Sequence, residues 1–434
     1  MHARQDRRRG ALPLPLLFAA GIIAAPLRAE PLAEVVRFAL QDHPQARASR
    51  AAAEARGFVL DQARAARLPQ LALVADPGRG YARRSGAGTD VGDLSLRGSV
   101  MLYDGGRTRA AIEREQLRLD AARDAVRLGD EDLAARVTDL YLEWYRQEQL
   151  AVLAAGNVQA HEALYERVRE IAAIDRGRAS DLLQVGARLA QARVVLESRR
   201  GSASEARQVL AELAGREFAA AEAPRDPASG LPPALADALA GLGSHPLVQA
   251  AAAEAAVAQR EARVAAAWAR PRLDVLATLD SPTDAAGDRR YFDDYSLRIA
   301  ATWAPFDGGA GRAAAHAAER QAQQADDAAQ ALRRELGARV TAIWAQLSAR
   351  RERVQSYRTL VEQSGRVREA YGEQFTIGRR SIVDLLNAQN EAFQAQLAAE
   401  DERVQLLQSE HQLLATLAGL THWLGVAPPP GAGT

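Results

Sequence analysis

Three stretches of this chain alternate strictly between apolar and polar residues. Leu94, Leu96, Val100 and Leu102 face one way and Ser95, Arg97 and Ser99 the other. Leu273, Val275, Ala277 and Leu279 alternate with Arg272, Asp274 and Thr278; Leu297, Ile299, Ala301 and Trp303 alternate with Ser296, Arg298 and Thr302. A period of two with one apolar face predicts half-buried strands. A fourth strand is expected at QLALVAD (70–76), separated from the strand DLSLRGSVMLY (93–103) by a polar, Gly-rich stretch, PGRGYARRSGAGTDVG. The remaining segments show helical spacing. Leu32 to Arg67 reads as one helix ending before Pro69, and Arg107 to Ile174 as a single long helix without Pro and with only two glycines. At ~1.5 Å per residue that helix is on the order of 100 Å long. Val126, Leu133, Val137, Leu140 and Trp144, and later Leu386, Phe393, Leu397, Val404, Leu407 and Leu414, recur at threes, fours and sevens, as in coiled coils.

This order of elements occurs twice. His43-Pro44 returns as His245-Pro246, and Leu68-Pro69-Gln70-Leu71 as Arg270-Pro271-Arg272-Leu273. YDGG (103–106) returns as FDGG (306–309), ARVTDLY (135–141) as ARVTAIW (338–344), and RGRAS around Gly177 as IGRRS around Gly378. A period near 200 residues is far longer than a solenoid repeat, so it marks two copies of a whole structural unit. Each copy reads helix, strand, strand, long helix, break, helix. In each, Asp104-Gly105-Gly106 or Asp307-Gly308-Gly309 turns the chain from strand to helix, with the aspartate expected as N-cap.

Composition narrows the class. Hydrophobic residues are 48% of the 434 but aromatics only 5%, which favours thin, Ala-rich helix contacts over a thick core. No Cys occurs, which excludes disulfides, thiolate metal sites, a Cys nucleophile and a lipidated N-terminal Cys. Residues 1–29 carry an Arg-rich start, a short apolar run broken by Pro, and Ala29 as a small residue for cleavage: a secretory signal peptide. Their five Arg and one Asp leave a mature chain of net charge 0 − 4 = −4, with no basic patch for nucleic acid. No later segment is an apolar ~20-mer able to span a bilayer as a helix. Strands of about ten residues with one apolar and one charged face fit a barrel wall between lipid and water. Residues 30–222 form the first repeat, the Pro- and Gly-rich 223–243 a connector, 244–424 the second repeat and 425–434 a loose tail. No HExxH, GxSxG, P-loop or paired catalytic carboxylate appears. No enzyme, cofactor or metal site is expected.

The HP pairs, the strand pair closed by (Y/F)DGG, and above all GRRSIVDLLNAQ (378–389) resemble the trimeric outer-membrane efflux and secretion channels of the TolC type, over nearly the whole mature chain. The resemblance implies a mainly α fold with a β-barrel contribution. Long antiparallel coiled-coil helices would build a periplasmic tunnel, and four transmembrane strands per chain would make a twelve-stranded barrel in a homotrimer. A periplasmic membrane-fusion adaptor and an inner-membrane ABC or proton-driven transporter would be partners, with outer-membrane lipid around the barrel. It places Asp384 at the periplasmic aperture, with Asn387 where some members carry a second Asp. It makes Arg380 a tie of the closed tip, with Ser180 and Asp181 as its polar partners. Phe375 stands where some members carry an aromatic hydroxyl. Gly177, Arg178, Gly378, Arg379 and Ser381 sit on the two hairpin tips that would meet the adaptor. The first tip departs from the family, with two fewer residues between its Gly and Asp. RGRASDLLQ is closer to members serving type I protein secretion; small-molecule, drug or metal efflux is the alternative cargo class. Outside the channel class, a periplasmic coiled-coil scaffold with a small soluble sheet is the competing reading.

Overall fold

The computed structural model describes residues 30–82, 87–283 and 294–427; the expected signal peptide and the last seven residues of the tail lie outside them. The chain runs α1 (Leu32–Asp42), α2 (Pro44–Ala65), β1 (Gln70–Ala82), β2 (Ala87–Tyr103), α3 (Arg107–Ile174), α4 (Ala179–Ala214), α5 (Leu235–Ala240), α6 (Pro246–Ala266), β3 (Arg272–Thr283), β4 (Asp294–Thr302), α7 (Ala310–Thr376), α8 (Ile382–Thr416) and α9 (Leu420–Trp423). Each repeat thus supplies two strands, one very long helix and one returning helix. The helix expected over 32–67 is two. His43 interrupts it with an extended backbone, and its ring Nδ1 accepts the N–H of Gln45 at 3.2 Å, with Pro44 opening α2. His245 and Pro246 do the same for α6, where Nδ1 accepts from Leu247 at 3.1 Å. The HP pair is therefore a helix start: proline has no N–H to waste there, and the imidazole satisfies a free donor.

All four strands form one antiparallel sheet in the order β1-β2-β3-β4, so the β2–β3 pairing joins the two repeats. β1 and β2 are longer than expected, at 13 and 17 residues. Their ladder continues through Pro77↔Gly92 to Ala82↔Ala87, inside the stretch read as a Gly-rich separator. Ladder bonds are made by the backbone, so glycines extend a strand without leaving the side-chain alternation that reveals one. The register sorts the faces. Leu73 lies opposite Leu96, Leu96 opposite Leu279, Val100 opposite Val275, and Val275 opposite Ile299. Directly paired residues share a face, so one side of the sheet is apolar across all four strands. That side is bare: Leu71 is 76% exposed, Leu297 75% and Ile299 73%. Among the described residues no second layer covers it, as a soluble sandwich would require. The other face carries Ser95, Arg97 and Arg298, with Thr278 and Ser296 hydroxyls bonded at 2.8 Å. Tyr103, Trp303 and Phe306 stand exposed at the helix-side end, where aromatics suit a membrane interface.

Both DGG turns have two consecutive glycines with positive φ: 74° and 87° at Gly105 and Gly106, 71° and 91° at Gly308 and Gly309. Only glycine takes this conformation freely. The expected capping by aspartate occurs from further out. The second glycine holds the N-cap position, and the carboxylate reaches over it. Asp104 accepts from the N–H of Gly106 (3.0 Å) and of Thr108 (2.6 Å); Asp307 accepts from Gly309 (3.0 Å) and Gly311 (2.7 Å). These bonds hold the Asp104 carboxyl below the usual carboxylate range despite its burial.

Beyond the turns the helices lie side by side. α3 packs along α2 and α6 in its sheet-side half and along α4 and α8 in its tip-side half, and α7 continues the row beside α6 and α8. α3 and α7 hold 68 and 67 residues, about 100 Å each at 1.5 Å per residue. The largest core sits at mid-height. Val35, Val36, Val137, Tyr141, Trp144, Leu210, Phe218 and Leu420 bury against one another there, drawing α1, α3, α4 and α9 together. Elsewhere the row is one helix thick. Its cohesion comes from smaller apolar clusters, such as Val158, Leu189, Leu196 and Phe393 of α3, α4 and α8, and from ion pairs such as Glu402 with Arg350 (3.1 Å) and Arg353 (2.9 Å) across α7–α8. No helix among the described residues is long and apolar enough to cross a membrane.

Candidate functional site

The residues singled out in the sequence gather where the two helical hairpins turn, about 100 Å from the sheet. The first tip is a single 3-10 turn, Arg176–Arg178, between α3 and α4. Gly177 does not need a positive φ there; its N–H is held by the Asp175 carboxylate at 2.9 Å. The second tip runs from Ile377 to Ser381, and Gly378 does adopt a positive φ of 72°. Its N–H bonds to the carbonyl of Phe375 at 3.0 Å, and that of Arg379 to Gln374 at 2.9 Å, which closes the end of α7. The shorter Gly-to-Asp spacing of copy one thus corresponds to a tighter connection.

Ser381 starts α8. Its hydroxyl accepts the N–H of Asp384 at 3.1 Å and donates to the Asp384 carboxylate at 2.9 Å, a reciprocal cap of the first turn. Asp384 keeps 44% of its side chain exposed. Asn387, one turn on, is exposed, so the two polar side chains share the outer face of α8 while Ile382, Leu385 and Leu386 bury the inner one. Arg380 lies 3.9 Å from Asp384, a loose and half-exposed pair worth little in water. Its firmer partners are Gln374, which accepts from Nε at 2.9 Å, and the Tyr371 ring, 4.3 Å below the guanidinium. Asp181 is paired locally with Arg178 at 3.5 Å, and Ser180 is exposed. Within one chain, therefore, Arg380 does not meet Ser180 or Asp181.

Phe375 occupies a different place from the polar tie that an aromatic hydroxyl would make. It is 3% exposed and packs with Val168 of α3, Val185 of α4, and Ile382, Leu385 and Leu386 of α8. It fastens the second tip to the first by apolar contact. The Arg178 guanidinium lies 5.9 Å from its ring centre. The roles of Tyr371 and Gln374 escaped the sequence reading because their spacing to Arg380 crosses the helix end, where no helical period applies.

A second concentration of titratable groups lies in a cleft of about 430 Å³ between the repeats at mid-height, lined by Glu131, Asp139, His245, Arg339, His411 and Leu420 among others. Glu131 accepts the N–H groups of Leu420 and Thr421, both at 3.1 Å, and so caps α9 from α3. Burial still pushes its carboxyl up, and pushes His245 and His411 down. Among the described residues no cluster of three or more His, Cys, Asp or Glu could hold a metal ion. Asp139 has no hydrogen-bond partner among the described residues; its side chain is exposed at the mouth of the cleft, yet the protein packed around the carboxyl pushes it up to about 6. The folded state therefore holds that proton more tightly than the unfolded chain, whose carboxyl titrates near 3.8. This favourable contribution is full below about pH 4 and lost as pH rises through 6. Asp139→Asn is expected to raise the midpoint of thermal unfolding at pH 7.5 and leave it unchanged at pH 4. A fall at pH 7.5, or an equal shift at both, counts against this reading.

Comparison with known proteins gives one consistent picture. The family model described as outer membrane efflux protein matches residues 35–216 and 240–419, once per repeat. The chain is 22% identical to the outer membrane efflux protein BepC of Brucella suis over 336 residues, covering 77% of this chain and 72% of that protein. Its fold matches the outer membrane protein VceC of Vibrio cholerae with a TM-score of 0.75 at 18% identity, covering 91% of this chain and 96% of that one. It also matches the open state of the MtrE outer membrane channel of Neisseria gonorrhoeae, with a TM-score of 0.75 at 19% identity over 90% and 89% of the two chains.

Proposed function

The chain belongs to the outer membrane efflux protein family, and on that footing we propose that three copies close into a channel-tunnel that passes cargo across the periplasm and the outer membrane. The observation that carries this reading is the sheet. It has a bare apolar face, a polar opposite face and only four strands, continuous with helices about 100 Å long. A membrane barrel needs at least eight strands, and an open sheet edge is not stable in lipid. Three chains supply twelve strands and leave no edge. The polar face then lines the pore, and the helical rows form the tunnel below it.

In this mechanism the tips are the gate. Asp384 of three chains forms a ring of negative charge around the aperture, and Asn387 adds a neutral polar rim. Arg380, held by Gln374 and Tyr371, is presented to the neighbouring chain's Ser180 and Asp181. A periplasmic adaptor that binds around Gly177, Arg178, Gly378 and Arg379 relaxes these ties, and the α7–α8 hairpin swings outward. An inner-membrane transporter, ABC or proton-driven, supplies the cargo. The word efflux in the family description and in the name of the BepC relative favours efflux over type I protein secretion, for which the segment RGRASDLLQ (176–184) is the supporting feature. A deletion strain distinguishes them: dye and detergent sensitivity for efflux, loss of one exported protein for secretion.

The gate is tested with purified protein in planar bilayers. Arg380→Ala with Asp384→Ala is expected to raise single-channel conductance and to lower cation preference, since one change removes a tie and the other a ring of charge. Unchanged conductance and selectivity in that double variant would sink the assignment.

A further inference from the structure

The duplication makes the two boundaries of a repeat comparable. Inside the chain, copy one meets copy two where α6 lies against the sheet-side part of α3. That boundary is ionic. Arg118 pairs with Glu261 at 2.9 Å, Arg114 with the same carboxylate at 3.7 Å, and Arg260 with Glu113 at 3.4 Å. Arg107 donates to the carbonyls of Ala267 (3.2 Å) and Trp268 (3.0 Å) at the end of α6, and Arg270 donates to the carbonyl of Gly105 at 2.8 Å. The Arg270 side chain fills the space beside that turn: a Cβ on Gly105 would lie 2.7 Å from the Cβ of Arg270.

The same boundary must exist between chains in a closed ring, with α2 in the place of α6 and α7 in the place of α3. α6 starts 202 residues after α2 and α7 starts 203 after α3, and the Pro that follows each short helix, Pro69 and Pro271, keeps the offset of 202. The equivalents of Arg260, Glu261 and Arg270 are Phe58, Val59 and Leu68; those of Arg107, Glu113, Arg114 and Arg118 are Ala310, His316, Ala317 and Gln321. Every ion pair of the internal boundary is gone. In its place stand large apolar side chains: Phe58 is 75% exposed and Leu68 61%, with Val59 partly covered at 37%. Opposite them, on α7, Ala310, Ala313, Ala314 and Ala317 are exposed and small. The turn at Gly308 has no neighbour within 4 Å, whereas its counterpart Gly105 is filled.

From this we infer that Phe58 and Val59 of α2, with Leu68 just after it, form a docking surface for the first turns of α7 of a second copy of this chain, an apolar seam that replaces the ionic one. The inference rests on the ring proposed above and goes beyond it by assigning the seam's residues and chemistry. The two seams exclude each other. Seating α2 of one chain on α3 of another would bury Arg114 and Arg118 against Phe58 and Val59 with Glu115 of their own helix as their one shared carboxylate, and seating α6 on a foreign α7 would take Glu261 from both arginines. A duplicated chain therefore distinguishes its internal boundary from its external one, and the ring closes with the repeats alternating.

The absence of any native Cys makes the test direct. Full-length protein carrying Val59→Cys and Gln321→Cys is purified in detergent and treated with a short bis-maleimide, because positions equivalent to an Arg–Glu pair are too far apart for a disulfide. Covalent dimers and trimers on denaturing gels are expected, and monomers only from Arg118→Cys with Glu261→Cys. Phe58→Asp is expected to lower the trimer fraction measured by light scattering at least ten-fold, and Arg118→Gln with Glu261→Gln to leave it unchanged. If the first pair yields no covalent product while light scattering still reports a trimer, the seam assignment is overturned and the ring survives. A wild-type protein that scatters as a monomer overturns the ring itself.

Discussion

Phe375→Ala is expected to open the periplasmic tip. Phe375 is 3% exposed and is the aromatic centre of a small cluster shared by α3, α4, α7 and α8. Truncating a buried Phe to Ala typically costs ~3–5 kcal/mol, from lost transfer energy and from the cavity left behind. Here the loss falls on a small cluster far from the mid-height core, where few other buried side chains join the two tips. Val168 and Val185 belong to the first hairpin and Leu385 and Leu386 to the second; the ring of Phe375 is what they share. Without it the second tip is free to move relative to the first, whichever polar ties remain. Higher conductance in planar bilayers and faster amide hydrogen exchange over residues 371–386 are the expected results. Bulk helical circular dichroism should stay unchanged, because the cluster contributes little to the length of the helices. Wild-type conductance together with wild-type exchange would show that the tip is held by other contacts.

The second large effect is expected at the opposite kind of site. Trp144 is 1% exposed within the largest core, edge-on to Tyr141 with ring centres 5.9 Å apart and 6.4 Å from Phe218. The Tyr141 hydroxyl lies 2.8 Å from the carbonyls of Glu30 and Glu222 and accepts the N–H of Glu222, also at 2.8 Å. The start of the described chain and the segment after α4 are thus pinned to α3 through one aromatic pair. Trp144→Ala removes the larger partner at a cost of ~3–5 kcal/mol. A lower urea midpoint is expected, along with new protease cleavage near residues 216–222, while conductance of the surviving folded channels stays as in the wild type. Phe375→Ala should behave in the reverse way. The pair of variants therefore separates a contact that holds the gate from one that holds the fold.

Several elements were legible without coordinates, for identifiable reasons. The limits of α3 follow from the DGG turn before it and the absence of Pro through Ile174. The alternation around Leu96, Leu279 and Leu297 reports the two faces of the sheet because side-chain direction in a strand is fixed by parity. The duplication could be read because its anchors, HP and DGG, are backbone-determining residues whose spacing survives while surface residues change. The Gly-rich part of the β1–β2 hairpin was not legible, since its ladder leaves no side-chain pattern. Nor was the break at His43, where the ring of a residue that looks ordinary in a helical period replaces a backbone acceptor. At the tips, the sequence marked Gly378, Arg380 and Asp384, but their partners lie across helix ends.

Local chemistry along the chain settled the kinds of element, their order, their repetition and which strand residues face lipid, because each depends on neighbours a few positions away or on a fixed period. Folding in three dimensions settled what those elements do to one another. It put Phe375 inside the tip as an apolar clasp, and it turned Arg380 toward Gln374 and Tyr371 and away from its own chain's Asp181. It also left Phe58 exposed where its counterpart Arg260 is paired. These outcomes depend on distances between residues far apart along the chain, and no periodicity carries that information. The feature that most constrains function arises from the two together. A sequence written twice has two comparable boundaries, and only the packing of α6 against α3 reveals that one of them is ionic while the matching residues of the other are not.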